Sequence, residues 1–233
     1  MFELDRYGQI MSDLSTHSRH ATLSILTALL VTCLVQPMAA LSNDAELFVI
    51  YEGAIGSVWD AGIAAFDASL DYGSCVNDGG QRCPNVDWRW AQGNEGYDVL
   101  ELIYPGTGQL AGVHFKSSAP QNLSRFAGGT IEFDARASRS GTALTIKVDC
   151  DYPCTSGDFQ LPTTIGPAWQ RVSIDVDDLV DGGLDLSRVD TGLVIWPSAL
   201  GDVVISLDKL VWKASANPPP ATGTIWRDKI LIG

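Results

Sequence analysis

Apolar and polar residues alternate with a period of two along most of this chain, and no segment carries a sustained apolar face with helical spacing. Side chains of a strand point alternately to opposite sides, so the pattern calls for sheets with one buried face and one wet face and disfavours a helical protein. The expected strands are 47–52, 86–91, 97–104, 112–116, 130–137, 143–149, 171–176, 192–196 and 203–212. Between them stand Tyr104-Pro105-Gly106, Gly128-Gly129, Gly182-Gly183 and the stretch 197–201, whose Pro and Gly residues stop a hydrogen-bonded ladder. Short strands with irregular connections predict an all-β protein, an antiparallel β-sandwich or jelly roll. Helical turns are expected only at 61–68 and 122–127.

Alternation also assigns faces. In 143–149 the core set is Leu144, Ile146 and Val148, which leaves Thr145, Lys147 and Asp149 on the other side. In 130–137 the core set is Ile131, Phe133 and Ala135, with Glu132, Asp134 and Arg136 outside. If Leu193 and Ile195 point inward, Trp196 points outward. A large aromatic on a polar strand face is the first candidate for a stacking platform.

An apolar run over 23–35 follows Arg19 and His20 and ends at the small-residue site Met38-Ala39-Ala40. Its 13 residues are too few for the roughly 20 of a membrane-spanning helix, so residues 1–40 are expected to be a leader removed on export. Cys33 goes with it. The mature domain is expected over 41–214, followed by a Pro-rich linker and short tail over 215–233. Cys75, Cys83, Cys150 and Cys154 remain, and four cysteines admit three pairings that the sequence alone does not separate. The short-range pairing, 75 with 83 and 150 with 154, is favoured over a four-thiolate zinc site, because export favours oxidation and the spacings do not repeat a metal-binding pair. The expected location is periplasmic or extracellular.

Loss of the leader moves the net charge from −13 to −12. A surface this acidic repels phosphate backbones and anionic lipid, so neither nucleic acid nor membrane is an expected partner of the mature form.

Several passages in order resemble the non-catalytic C-terminal domain of bacterial family 3 exo-1,3/1,4-β-glucanases, a galactose-binding-like β-sandwich. They are Trp59-Asp60, Gly62-Ile63, Phe66-Asp67 and Tyr72-Gly73 with Cys75; then Lys147 to Cys150, Tyr152-Pro153-Cys154 and Ser156-Gly157-Asp158; then Gly182 to Leu186, Thr191 to Ile195, Leu207-Asp208 and Trp212. The resemblance covers about 48–213 and implies a module that holds or orients carbohydrate beside a hydrolase. It also implies a structural calcium between the first and last strands, for which Glu52 and Asp208 are the candidate oxygen ligands. The catalytic barrel of those enzymes has no counterpart here.

The residues themselves offer little to catalysis. His114 is the single histidine after residue 40, and it reads as an exposed polar residue of its strand. Glu132-Phe133-Asp134 lacks the following glutamate that a paired-carboxylate glycosidase needs. A pyranose instead needs flat aromatic faces with hydrogen-bonding groups beside them. Trp196, Tyr152 in the cysteine loop, Lys147 and Asp149 are the candidate carbohydrate contacts, whereas Trp88, Trp90, Trp169 and Trp212 read as packing and Trp59 is undecided. The expected function is a secreted polysaccharide-binding module without enzymatic activity, directed at β-glucan or a related chain. The alternative is a structural module that packs against a glycoside hydrolase without binding sugar, and the third reading is a glycoside hydrolase.

Overall fold

The computed structural model describes residues 45–93 and 95–216. The expected leader and nearly all of the expected linker and tail lie outside the described residues. The strands in chain order are β1 (Glu46–Phe48), β2 (Ile50–Tyr51), β3 (Ala54–Ile55), β4 (Gly62–Asp67), β5 (Gly73–Cys75), β6 (Asp87–Gln92) and β7 (Asp98–Pro105). After them come β8 (Ala111–Gln121), β9 (Thr130–Ala137), β10 (Leu144–Cys150), β11 (Phe159–Gln160), β12 (Gln170–Asp175), β13 (Val189–Pro197) and β14 (Asp202–Lys213). One short helix, α1 (Val176–Asp181), follows β12, with Asp177 and Asp178 in its first turn where the helix dipole favours negative charge.

The strands form two six-stranded antiparallel sheets and a small β2–β3 ribbon. The first sheet runs β12-β9-β14-β7-β6 with β1 also paired to β14, and the second runs β11-β10-β13-β8-β4-β5. From β8 onward the chain passes back and forth between the sheets, the β10–β11 hairpin apart, so successive strands lie on opposite sides of the core. This is the expected sandwich.

The faces follow the alternation. Leu144, Ile146 and Val148 of β10 and Ile131, Phe133 and Ala135 of β9 are all fully buried, as are Leu193 and Ile195 of β13 and Leu100 and Leu102 of β7. Each large apolar side chain among them contributes roughly 1.5–3 kcal/mol by leaving water. Two polar tips inside the core reach the opposite sheet: the Tyr104 hydroxyl and the Trp212 indole N–H donate to the carbonyls of Ile195 and Gly192, each at 3.1 Å. Gly192 has no room for a side chain, since a Cβ there would sit 2.7 Å from the Trp59 ring. Trp59 is thereby resolved as a core residue, 1% exposed.

Both short-range disulfides form, with Cα atoms 5.2 Å apart at Cys75–Cys83 and 5.0 Å apart at Cys150–Cys154, inside the usual range for the bond. Beside the first lies a fully buried carboxylate. Asp67 accepts from the Ser69 amide at 2.9 Å, the Asn85 amide at 2.8 Å and the Asn85 side-chain amide at 2.6 Å. It therefore ties the end of β4 to the segment that leaves Cys83.

Two expectations need correction. The stretch 61–68 is not a helical turn: 62–67 is strand β4, paired with β8 on one side and, from Ala65 on, with β5 on the other. Alanine's helix preference is a weak prior, and two flanking ladders override it. The single strand expected over 47–52 is broken at Val49 into β1 and β2. The turn at 122–127 holds, as a 3-10 turn at Ser124–Phe126.

Candidate functional site

The outer face of the second sheet holds a depression of about 340 Å³. Its floor comes from three central strands whose inward residues are fixed by the core. Because Val113 and Phe115 of β8 and Leu193 and Ile195 of β13 point inward, His114, Val194 and Trp196 must point outward. Register then sets them side by side: Lys147 of β10 lies opposite Val194, and Val194 lies opposite His114. Thr145 lies opposite Trp196 in the same way.

An aromatic row crosses this floor. The Phe66 ring of β4 meets the Trp196 indole edge-on, with centroids 5.6 Å apart and planes at 80°, and the Tyr72 ring follows 6.2 Å beyond Phe66. Edge-on contact is the favoured geometry for such pairs. The row exists because of a glycine. Phe66 pairs across the ladder with Gly112, and a Cβ on Gly112 would lie 2.4 Å from the Phe66 ring, so only glycine lets the phenyl lie down against the sheet. Trp196 and Phe66 support each other, which leaves Trp196 only 6% exposed, while Tyr72 at the free end is 62% exposed. Tyr72 and its neighbour Asp71 both hold positive φ, +60° and +53°, a conformation that costs a non-glycine residue about 1–2 kcal/mol. In this conformation the Tyr72 ring stands at the end of the row, tilted 33° to Phe66.

Gly112→Ala should displace Phe66 and dismantle the row while the sandwich stays folded. The expected result is about tenfold weaker ligand binding, with a loss of stability of about 1–3 kcal/mol, the usual range for overpacking. Calorimetric titration beside a thermal melt separates the two.

Polar groups line the rest of the depression. Lys147 and Asp149 form an ion pair at 3.1 Å, each about one-quarter exposed, and Asp158 stands on the segment that follows the second disulfide. His114 is half-buried on the other side of Val194 from Lys147, where burial first and then the charge of Lys116 push its imidazole down to about 4. At neutral pH it is an uncharged group with one N–H donor and one acceptor nitrogen. The unfolded chain takes up this proton near pH 6.5 and the folded one only near 4, so stability is full above 6.5 and is lost as pH falls through that window. A decline of about 2–3 kcal/mol between pH 6.5 and 4, absent in His114→Gln, is the expected result of denaturant melts across pH.

The depression brings together Trp196, Lys147 and Asp149, three residues singled out in the sequence. It does not include Tyr152, which stands 92% exposed on the Cys150–Cys154 loop away from the lining. The staple fixes the loop backbone, not the direction of this ring. His114 is not a freely exposed strand residue but part of the floor. Phe66, Tyr72 and Asp158, marked in the sequence only by the family resemblance, complete the lining: alternation does not single out Phe66 where a helical turn is expected, and the loop positions of the other two carry no periodicity. The pairing of Lys116↔Gly62 through Ala111↔Asp67 would have revealed Phe66 once β4 was read as a strand.

Glu52 and Asp208, the expected calcium ligands, lie on the turn after the second strand and in the last strand. Glu52 is exposed there, and one carboxylate oxygen of Asp208 is bonded to the Lys209 amide at 2.7 Å. Among the described residues no three of His, Cys, Asp and Glu come together to hold a metal. The Glu132 and Asp134 carboxylates, on the other sheet, are engaged by Arg171 at 2.9 and 3.2 Å.

Comparison with known proteins agrees with this architecture. A family model described as "Galactose-binding domain-like" matches residues 76–211. A solved family 30 carbohydrate-binding module is similar over 73% of this chain and 99% of its own, with a TM-score of 0.52 and 16% identity. An exo-1,3/1,4-β-glucanase from a Pseudoalteromonas species is similar over 75% of this chain but only 21% of its own, with a TM-score of 0.51 and 12% identity. No curated protein matches the sequence.

Proposed function

Because this chain belongs to the galactose-binding domain-like family, we propose that it is a non-catalytic carbohydrate-binding module that lays a β-glucan or related polysaccharide across the outer face of the second sheet. The observation that carries this reading is the Trp196–Phe66–Tyr72 row set beside Lys147, Asp149, Asp158 and His114 in one depression. Flat rings cover the apolar face of a pyranose, and the flanking charged and imidazole groups take its hydroxyls. Tyr72, largely exposed, meets the sugar first; Trp196 holds the row in place. The choice of glucan follows the enzyme to which the chain is similar. Two disulfides suit a protein working outside the cytosol, and we assign it there.

Calorimetric titration of the purified protein with mixed-linkage β-glucan, cello-oligosaccharides and laminari-oligosaccharides tests the reading. Saturable binding to at least one of them, with no release of reducing sugar, is expected. Silence across the panel overturns it, and so does sugar release that disappears in Glu132→Gln. The similarity to about a fifth of a much larger glucanase favours a second role, in which the module sits beside a glycoside hydrolase and presents substrate to it.

A further inference from the structure

We propose that the outer face of the first sheet carries a second binding site, separate from the glucan depression, that takes the carboxylate of a uronosyl group through Arg136. The site is a depression of about 320 Å³, close in size to the 340 Å³ of the glucan depression. Its floor is a straight row across four strands: Arg89 of β6 lies opposite Glu101 of β7, Glu101 opposite Ser206 of β14, and Ser206 opposite Arg136 of β9. Parity turns all four outward, because their neighbours Trp88, Leu100, Leu102, Ile205, Leu207 and Ala135 are buried inside the sandwich. With adjacent strands about 4.8 Å apart, the row spans roughly 14 Å, enough for a pyranose and its substituents.

The charges of this row are unevenly matched. Arg89 donates to one oxygen of Glu101 from both Nε, at 3.0 Å, and Nη2, at 2.8 Å, so these two neutralise each other. Arg136 has no carboxylate partner among the described residues: its Nε donates to the Ser206 hydroxyl at 3.3 Å, and its guanidinium stacks 4.9 Å from the Trp169 ring centre. Ser206 is a second group left incomplete. It is 4% exposed, its oxygen accepts from Arg136, and its own O–H meets no acceptor among the described residues. A guanidinium without a counter-charge beside a buried hydroxyl without an acceptor calls for an anionic acceptor from outside.

The unmet groups define the ligand. A guanidinium carries five N–H donors; Ser206 takes the one on Nε and the indole takes the face, which leaves the four on the Nη atoms for a ligand. Stacking on Trp169 sets the plane of the fork before anything binds, so two parallel N–H···O bonds to a planar carboxylate form at little ordering cost. The Ser206 hydroxyl then donates to the same carboxylate or to a ring oxygen. Glu101 in the same floor and the net charge of −13 both repel a run of acids. Together these conditions favour one carboxylate on an otherwise neutral sugar chain over an acidic peptide. A neutral pyranose would leave the Arg136 charge unmatched.

The test is an amide- and indole-resolved NMR titration of the whole protein at neutral pH with methyl β-glucuronoside and with methyl β-glucoside, which carries a hydroxymethyl group in place of the carboxylate. The glucuronoside should give saturable shifts at the Trp169 indole N–H and at the amides of Arg136 and Ser206, and the glucoside should bind at least tenfold more weakly. Arg136→Gln should weaken the glucuronoside at least tenfold, and Arg136→Lys, which keeps the charge and loses the fork, at least fivefold, while Tyr72→Ala leaves it unchanged. Equal response to the two glycosides, no saturable shift, either Arg136 variant binding like the parent, loss in Tyr72→Ala, or tighter binding of hexaglutamate than of the glucuronoside overturns the proposal. Failure here leaves the glucan reading intact, because the two depressions lie on different sheets.

Discussion

Trp196→Ala should weaken glucan binding by roughly 30- to 100-fold, about 2–3 kcal/mol at 1.4 kcal/mol per tenfold. The size of the effect comes from what the indole supports more than from what it shows to solvent. With 6% of its surface exposed, Trp196 offers a ligand little area of its own, yet its edge-on contact fixes Phe66, and Phe66 in turn carries Tyr72. Removing the indole therefore loosens all three rings. Such a deletion also costs stability, about 3 kcal/mol for a buried aromatic. Tyr72→Ala separates the two consequences. Its ring is 62% exposed, so the melt should hardly move, while affinity should drop about five- to tenfold through lost stacking alone. Unchanged affinity in both variants contradicts the platform.

Asp67→Ala should be the most destabilising single change outside the apolar core. Its carboxylate satisfies three donors in a fully buried place, and the Asn85 side chain it positions reaches on to Ser69 at 2.7 Å and is met by the Thr107 hydroxyl. A buried donor left without its acceptor costs about 1–3 kcal/mol, so the whole cluster is worth about 3–5 kcal/mol. At about 2–4 °C per kcal/mol for a chain of this size, the melting temperature should fall by roughly 10 °C. Scanning calorimetry gives the answer directly, and a fall below about 3 °C would mean the cluster relaxes onto water at little cost.

What the sequence discloses here is whatever a period of two can carry. The faces of β9 and β10 are legible to the residue, since the inward side chains are apolar and their neighbours polar. Trp196, Lys147 and Asp149 follow from that same parity. Alternation is silent about which strands lie side by side, however, and the site is a product of neighbours. His114 matters because β8 lies between β4 and β13, and Phe66 matters because Gly112 stands opposite it. Neither relation is present in any single strand. Local propensity misleads at β4, where small residues suggest a helix and pairing on both edges decides otherwise. Tyr152 shows the converse limit: a disulfide restrains a loop without telling which way its side chain faces.

The most direct measurement of the central claim is an NMR titration of the protein with a β-glucan tetrasaccharide, resolved at backbone amides and tryptophan indoles. Shifts confined to the Trp196 indole and to the amides of Phe66, Tyr72, His114, Lys147 and Asp149, saturating with a single Kd, are the predicted result. Saturation with the largest shifts elsewhere, on the loop of Tyr152 or on the first sheet, would contradict it.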